Sequence, residues 1–96
     1  MAAYLVVEHL ITDAAKFEEY RVKVGPMIAK HGGRYLTKGG SHKMPEGGHW
    51  KPERVVIIEF ESVEQAIKAH DSEAYQAALK ALGNGAERDI RIAEGL

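Results

Sequence analysis

Residues 54–60 read Arg-Val-Val-Ile-Ile-Glu-Phe, a short run dense in β-branched and aromatic side chains, with Pro52 just upstream and Ser62 just downstream. Such a run suits a well-buried strand and is too short for a helix. A second run of the same character, AYLVVEHLI, occupies residues 3–11. Successive side chains on a strand point to opposite faces, so Tyr4, Val6, Glu8 and Leu10 share one side, and Leu5, Val7, His9 and Ile11 the other. In the later run Val55, Ile57 and Glu59 oppose Val56, Ile58 and Phe60. Both faces of both strands are therefore mainly apolar, which places them in the middle of a sheet.

The segments between and beyond these strands supply the rest. After Asp13, a suitable N-cap, Phe17, Tyr20, Val24, Met27 and Ile28 form the stripe of an amphipathic helix, while Lys16, Glu19 and Lys23 lie on a solvated face. Gly25-Pro26 predicts a bend or a new first turn, and Gly32-Gly33 predicts the helix end. Residues 34–39, RYLTKG, and residues 88–94, RDIRIAE, read as two further strands. Ser62 with Gln65 predicts a capping box opening a helix, Asp71-Ser72 a break with a second N-cap, and Gly83-Asn84-Gly85 a stop. The order strand, helix, strand, strand, helix, strand is the split βαβ of the ferredoxin-like fold, α+β in class. Right-handed crossovers put the first and third strands in the centre of a four-stranded antiparallel sheet with the helices on one face. Residues 1–96 form one such domain.

The bare face of that sheet would be apolar, and contiguous apolar faces mark interaction surfaces. The expectation is a homodimer with the two sheets packed face to face around a barrel-like interior. A formal charge of -1 gives no footprint for nucleic acid or anionic lipid, no run is long enough to span a membrane, and the opening residues lack a signal-like core. Neither nucleic acid nor membrane is expected as a partner, and the expected location is cytoplasmic. Zero cysteines remove thiol nucleophiles, disulfides and Cys-based metal sites together.

The residues also carry a resemblance. The first strand running into Thr12-Asp13, the stretch KHGGRYL at residues 30–36 with Gly39-Gly40, the segment WKPERVVIIEF at residues 50–60, and DSEAYQ at residues 71–76 together resemble domain-of-unknown-function family 1330, in the dimeric α/β-barrel superfamily. The resemblance implies a ferredoxin-like fold and a dimer. It carries no established catalytic residues. Related barrels include cofactor-independent monooxygenases, haem-degrading enzymes, lactone isomerases and stress-response proteins, a likeness of fold.

For chemistry, strand parity puts Glu8 and Glu59 on one face of adjacent strands, where two carboxylates could share a proton or pair with Arg34, Lys38 or Arg91. Tyr35 offers a phenol and Arg34 a guanidinium fork, though alternation keeps these neighbours out of one pocket. The fourteen-residue segment GSHKMPEGGHWKPE, residues 40–53, is long for a hairpin connection. It holds His42 and His49, candidate general bases, and Trp50, a candidate ligand cover. The five histidines have no metal-ligand spacing, so no metal site is expected, and no cofactor motif is present. The expected function is binding of a small organic ligand in or beside the inter-sheet cavity, with Glu8, Arg34, Tyr35, Trp50 and Glu59 as contacts. The alternatives are a cofactor-independent monooxygenase- or isomerase-like enzyme using Glu59, His42 or His49, and a structural dimer without ligand.

Overall fold

A computed structural model describes the whole chain, residues 1–96. The elements are β1 (Ala3–Ile11), α1 (Ala14–Lys30), β2 (Arg34–Lys38), β3 (Arg54–Phe60), α2 (Val63–Asp71), α3 (Glu73–Leu82) and β4 (Ala86–Glu94). The sheet is antiparallel in the order β2-β3-β1-β4, so the two apolar strands are central, as their two-sided hydrophobicity requires. This is the ferredoxin-like fold read from the sequence, with the second helix divided in two.

The helix ends follow local chemistry. Asp13 accepts from the amides of Ala15 and Lys16 and starts α1. Ser62 accepts from Gln65 N–H at 3.1 Å, and Ser72 accepts from Tyr75 N–H at 3.2 Å, so each serine opens a helix by taking an otherwise unpaired amide. The reciprocal half of the predicted capping box does not form. The Gln65 side chain donates instead to the His31 carbonyl, 2.7 Å away, and ties α2 to the end of α1. Nor does α1 restart at Pro26: it runs on to Lys30 with Pro26 and Val22 both exposed. The Val22 carbonyl that proline leaves without a donor therefore lies on the water-facing side of the helix.

All helices pack on one face of the sheet. Leu5, Val7, Val56, Ile58 and Phe60 from the strands meet Phe17, Tyr20, Val24, Met27 and Ile28 from α1, and Ala66, Ala69, Tyr75, Ala78 and Leu82 from α2 and α3. Gly33 has to be glycine for space, since a Cβ there would lie 2.7 Å from Ile28 and 2.9 Å from the Phe60 ring. On the opposite face Tyr4, Val6, Leu10, Val55 and Ile57 are only half-buried, and no segment of the chain covers them.

Candidate functional site

The helix-covered face holds one charged or polar residue among its fully buried side chains: His9, 3% exposed. The pairing register explains its surroundings. On β3 its partner is Arg54 and on β4 its partner is Arg88, so three adjacent strands place a row Arg54–His9–Arg88 on one side of the sheet, beneath the helices. Facing side chains in such a row have Cβ atoms about 4.5–5.5 Å apart.

Each member of the row is held by aromatic contacts. The edges of Phe17 and Tyr20 approach the imidazole of His9, with ring centroids 5.0 and 6.1 Å away. The Arg88 guanidinium lies 4.8 Å from the centre of the Tyr20 ring and donates to the hydroxyls of Tyr20 (2.7 Å) and Tyr75 (2.9 Å). Arg54 lies 5.4 Å from the Phe17 ring centre and donates to the Lys38 carbonyl. Gly39 gives Arg54 its space: it has φ +86, and a Cβ there would lie 2.5 Å from the guanidinium carbon. Glu53 anchors the entry to β3 by donating its N–H to the His9 carbonyl at 2.7 Å and accepting from Ile11 N–H at 3.0 Å.

What the row lacks is a carboxylate. Neither arginine is in an ion pair, and neither ring nitrogen of His9, nor the Nε of Arg54 or Arg88, has a hydrogen-bond partner in the protein. Burial, and then the charges of Arg88 and Arg54, pull the His9 imidazole down to about 4, so it is neutral at physiological pH. Burial also pushes the phenols of Tyr20 and Tyr35 up, which keeps both as neutral hydroxyls.

His9 and Arg54 border a cavity of about 50 Å³ between the sheet and α1. At roughly 10–15 Å³ per water on this measure, it has room for a few waters or one end of an organic molecule. Leu5, Val7, Val56 and Ile58 form its floor, Phe17, Tyr20, Val24 and Ile28 its roof, and Tyr75 and Tyr35 its sides. The exposed Arg21 and Lys38 lie at its mouth, and no Asp or Glu lines it.

A model for the family described as Domain of unknown function (DUF1330) matches residues 2–96. The chain belongs to this family. No curated protein matches it. Among solved structures, this DUF1330 chain resembles RPA0582, a protein of unknown function from Rhodopseudomonas palustris, with TM-score 0.81 and 17% identity over 99% of this chain and 82% of that one. It also resembles SnoaB, a cofactor-independent oxygenase from Streptomyces nogalater, with TM-score 0.69 and 12% identity over 99% and 93% of the two chains. The de novo designed protein Foldit4 matches with TM-score 0.63 and 10% identity over the full length of both chains. Identities this low establish a shared fold alone, and a designed protein among the matches underlines that fold and activity are separate questions.

The residues singled out in the sequence fall into three places. Glu8, Glu59 and Arg34 are on the open face, where Arg34 donates to Glu59 at 2.6 Å, Tyr4 hydroxyl donates to Glu59 at 3.3 Å, and Arg91 lies 3.8 Å from Glu8. The two carboxylates do not meet. Glu59 pairs with Tyr4 and Glu8 with Val55, a separation of four residues along the strands, or roughly 13 Å at a strand's rise. Parity gave the shared face correctly, but register, which parity does not determine, keeps the two apart. Tyr35 and Lys38 line the cavity, from the opposite side of the sheet to Arg34; an irregularity in β2 between Tyr35 and Thr37 turns Lys38 away from the glutamates it was expected to pair with. Trp50 is half-buried in the 40–53 segment, His42 and His49 are exposed there, and none of the three lines the cavity. The cavity also lies on the helix side of the sheet rather than on the side where a second sheet would pack.

His9, Arg54 and Arg88 were not among the residues singled out. The signal was present, because each shares strand parity with aliphatics of the core or packed against it: His9 with Leu5 and Val7, Arg54 with Val56 and Ile58, Arg88 with Ile90 and Ile92. No three His, Asp or Glu side chains are grouped to hold a metal, and no helix is long and apolar enough to cross a membrane.

Proposed function

We propose that this DUF1330 protein binds a small organic molecule in the cavity between α1 and the sheet. The observation that carries this reading is His9, a fully buried imidazole with both nitrogens free of protein partners, bordering a cavity whose floor and roof are apolar. Buried polar atoms are nearly always hydrogen-bonded, and the exceptions concentrate at sites that do something. A thermal-shift panel of small acids, quinols and lactones tests it, with Val24→Phe as the cavity-filling control. A bound compound at a hundred times its Kd stabilises by about 2.7 kcal/mol, so a rise in Tm is expected for the wild type alone. No shift with any compound, or equal shifts in Val24→Phe, would sink the reading and leave a structural dimer without ligand.

A cofactor-independent, isomerase- or oxygenase-like activity is the second reading, favoured by the neutral state of His9. A neutral imidazole can take a proton from carbon beside a carbonyl and return it to another position, with a guanidinium steadying the enolate oxygen between the two steps. The fold shared with SnoaB is consistent with it. Glu59 is a less suitable base than His9, because its carboxylate is engaged by Arg34 and Tyr4 on the open face. Its test is solvent deuterium incorporation into a bound ketone or lactone, which Glu59→Gln should leave intact and His9→Gln should abolish.

The open face supports a homodimer. Half-buried Tyr4, Val6, Val55 and Ile57 form an apolar strip across the two central strands, bordered by the Arg34–Glu59 and Arg91–Glu8 pairs. Two such faces can pack as aligned sheets, burying both strips at once. Light scattering at micromolar concentration should give twice the chain mass, and Ile57→Lys should return the monomer. A wild-type monomer under those conditions would remove the dimer.

A further inference from the structure

We propose that the molecule bound in the cavity is an organic anion with a single acidic group, a carboxylate or phenolate, its charged oxygen held by His9 and Arg54, and that His9 takes up a proton as it binds. This inference rests on the ligand-binding reading above and narrows it to a chemical class.

The register sets two guanidiniums on either side of one imidazole, and their only protein acceptors are neutral oxygens: the hydroxyls of Tyr20 and Tyr75 for Arg88, and the Lys38 carbonyl for Arg54. Of the two, Arg54 lines the cavity beside His9, while Arg88 stands behind the Tyr20 and Tyr75 hydroxyls; in surroundings of low dielectric a positive charge on the cavity wall with no acid beside it favours a negative group there and opposes a positive one. The groups facing His9 from each packed element are Arg54 on β3, Arg88 on β4, Tyr20 on α1 and Tyr75 on α3. Tyr35 and Lys38 on β2, with Arg21 on α1, stand further out toward the mouth. None of them is acidic. Glu53 touches the backbone at His9, but its side chain is exposed and its carboxylate accepts from Ile11 N–H.

Proton uptake follows from the same arrangement. A neutral imidazole has one donor and one acceptor nitrogen, whereas the protonated ring has two donors and no acceptor. An anion against His9 and Arg54 offsets the arginines' share of what keeps the ring neutral, which adds to burial, and supplies an acceptor for it. The exposed Arg21 and Lys38 at the mouth add a positive approach for the same ligand class.

Butanoate and its uncharged isostere butanamide are the probes, followed on the His9 ring resonances by NMR at constant ionic strength as pH is lowered from about 7.5 to about 5.5. The expected result is that butanoate binds at least about tenfold more tightly than butanamide, that its affinity increases toward the acid end, and that the ring's titration moves upward when it is bound. Arg54→Gln should remove the preference for the acid, and Arg54→Lys should keep it. If both probes bind equally at every pH, or butanamide binds better, the anion inference fails while the ligand reading stands. Preferential butanoate binding with no pH dependence overturns the proton uptake. Absence of any response from the cavity residues to either probe removes the inference, and the reading beneath it falls only if the thermal-shift panel is silent as well.

Discussion

The two faces of the sheet are made by the same strands from alternate residues, yet they handle charge in opposite ways. On the open face Glu59 pairs with Arg34 and Glu8 lies near Arg91, acid beside base, with all four side chains in some contact with water. On the covered face the row is His9 between Arg54 and Arg88, and no acid answers it. Glu8 and His9 are neighbours in the chain but fall on opposite sides. Opposite charges on a wet face neutralise each other at little energetic consequence. Arg54 and Arg88 are half-buried with only neutral oxygens as acceptors, so their charges lack the compensation that a carboxylate gives on the other face.

The largest break in this comparison comes from the covered face itself. Phe60 is 1% exposed and packs under α1 against Gly33 and Ile28. Replacing it by alanine should cost about 3–5 kcal/mol in urea unfolding, a large share of the stability of a chain this size. A loss under 1 kcal/mol would mean that the helices do not clamp that face.

The next effect isolates the row. The folded His9 titrates at about 4, below the ordinary histidine value of 6.5, so between those limits the unfolded chain binds a proton that the folded chain does not. Stability therefore rises with pH through this window and falls as pH drops from about 6.5 toward about 4, by on the order of 3 kcal/mol in all. Urea midpoints for wild type and His9→Phe across that range separate this contribution from carboxylates, which the two proteins share. Parallel pH profiles would show that the imidazole is not held neutral by burial and the two arginines.

The smallest effect belongs to the open face. Glu59→Gln removes an ion pair whose arginine is 72% exposed, and should change stability by about 0–1 kcal/mol, with any effect shrinking as salt is added. A loss of several kcal/mol that salt does not touch would contradict the contrast drawn between the two faces, and would point to Glu59 being buried against a second copy.

Much of this was legible along the chain. Alternation in AYLVVEHLI and RVVIIEF identified the central strands, the caps at Asp13, Ser62 and Ser72 began the helices where expected, and the order of elements named the fold. The site was harder to read. Glu8 and Glu59 drew attention as an acidic pair, while His9 sat unremarked among aliphatics and Arg54 and Arg88 looked like the charged ends of strands. Gln65 shows the same limit on a smaller scale: its spacing from Ser62 announces a capping box, but the His31 carbonyl, far away in sequence, takes its side chain.

Periodicity therefore determined which side of the sheet the residues of β1, β3 and β4 occupy, because side chains alternate along an unbroken strand; in β2 an irregularity between Tyr35 and Thr37 breaks the count and puts Lys38 beside Tyr35. Only the tertiary structure decided who stands next to whom, because register is set by how β1 aligns with both of its neighbours across the crossovers. One alignment draws Glu8 and Glu59 apart, and the same alignment brings His9, Arg54 and Arg88 into a row from three distant parts of the chain.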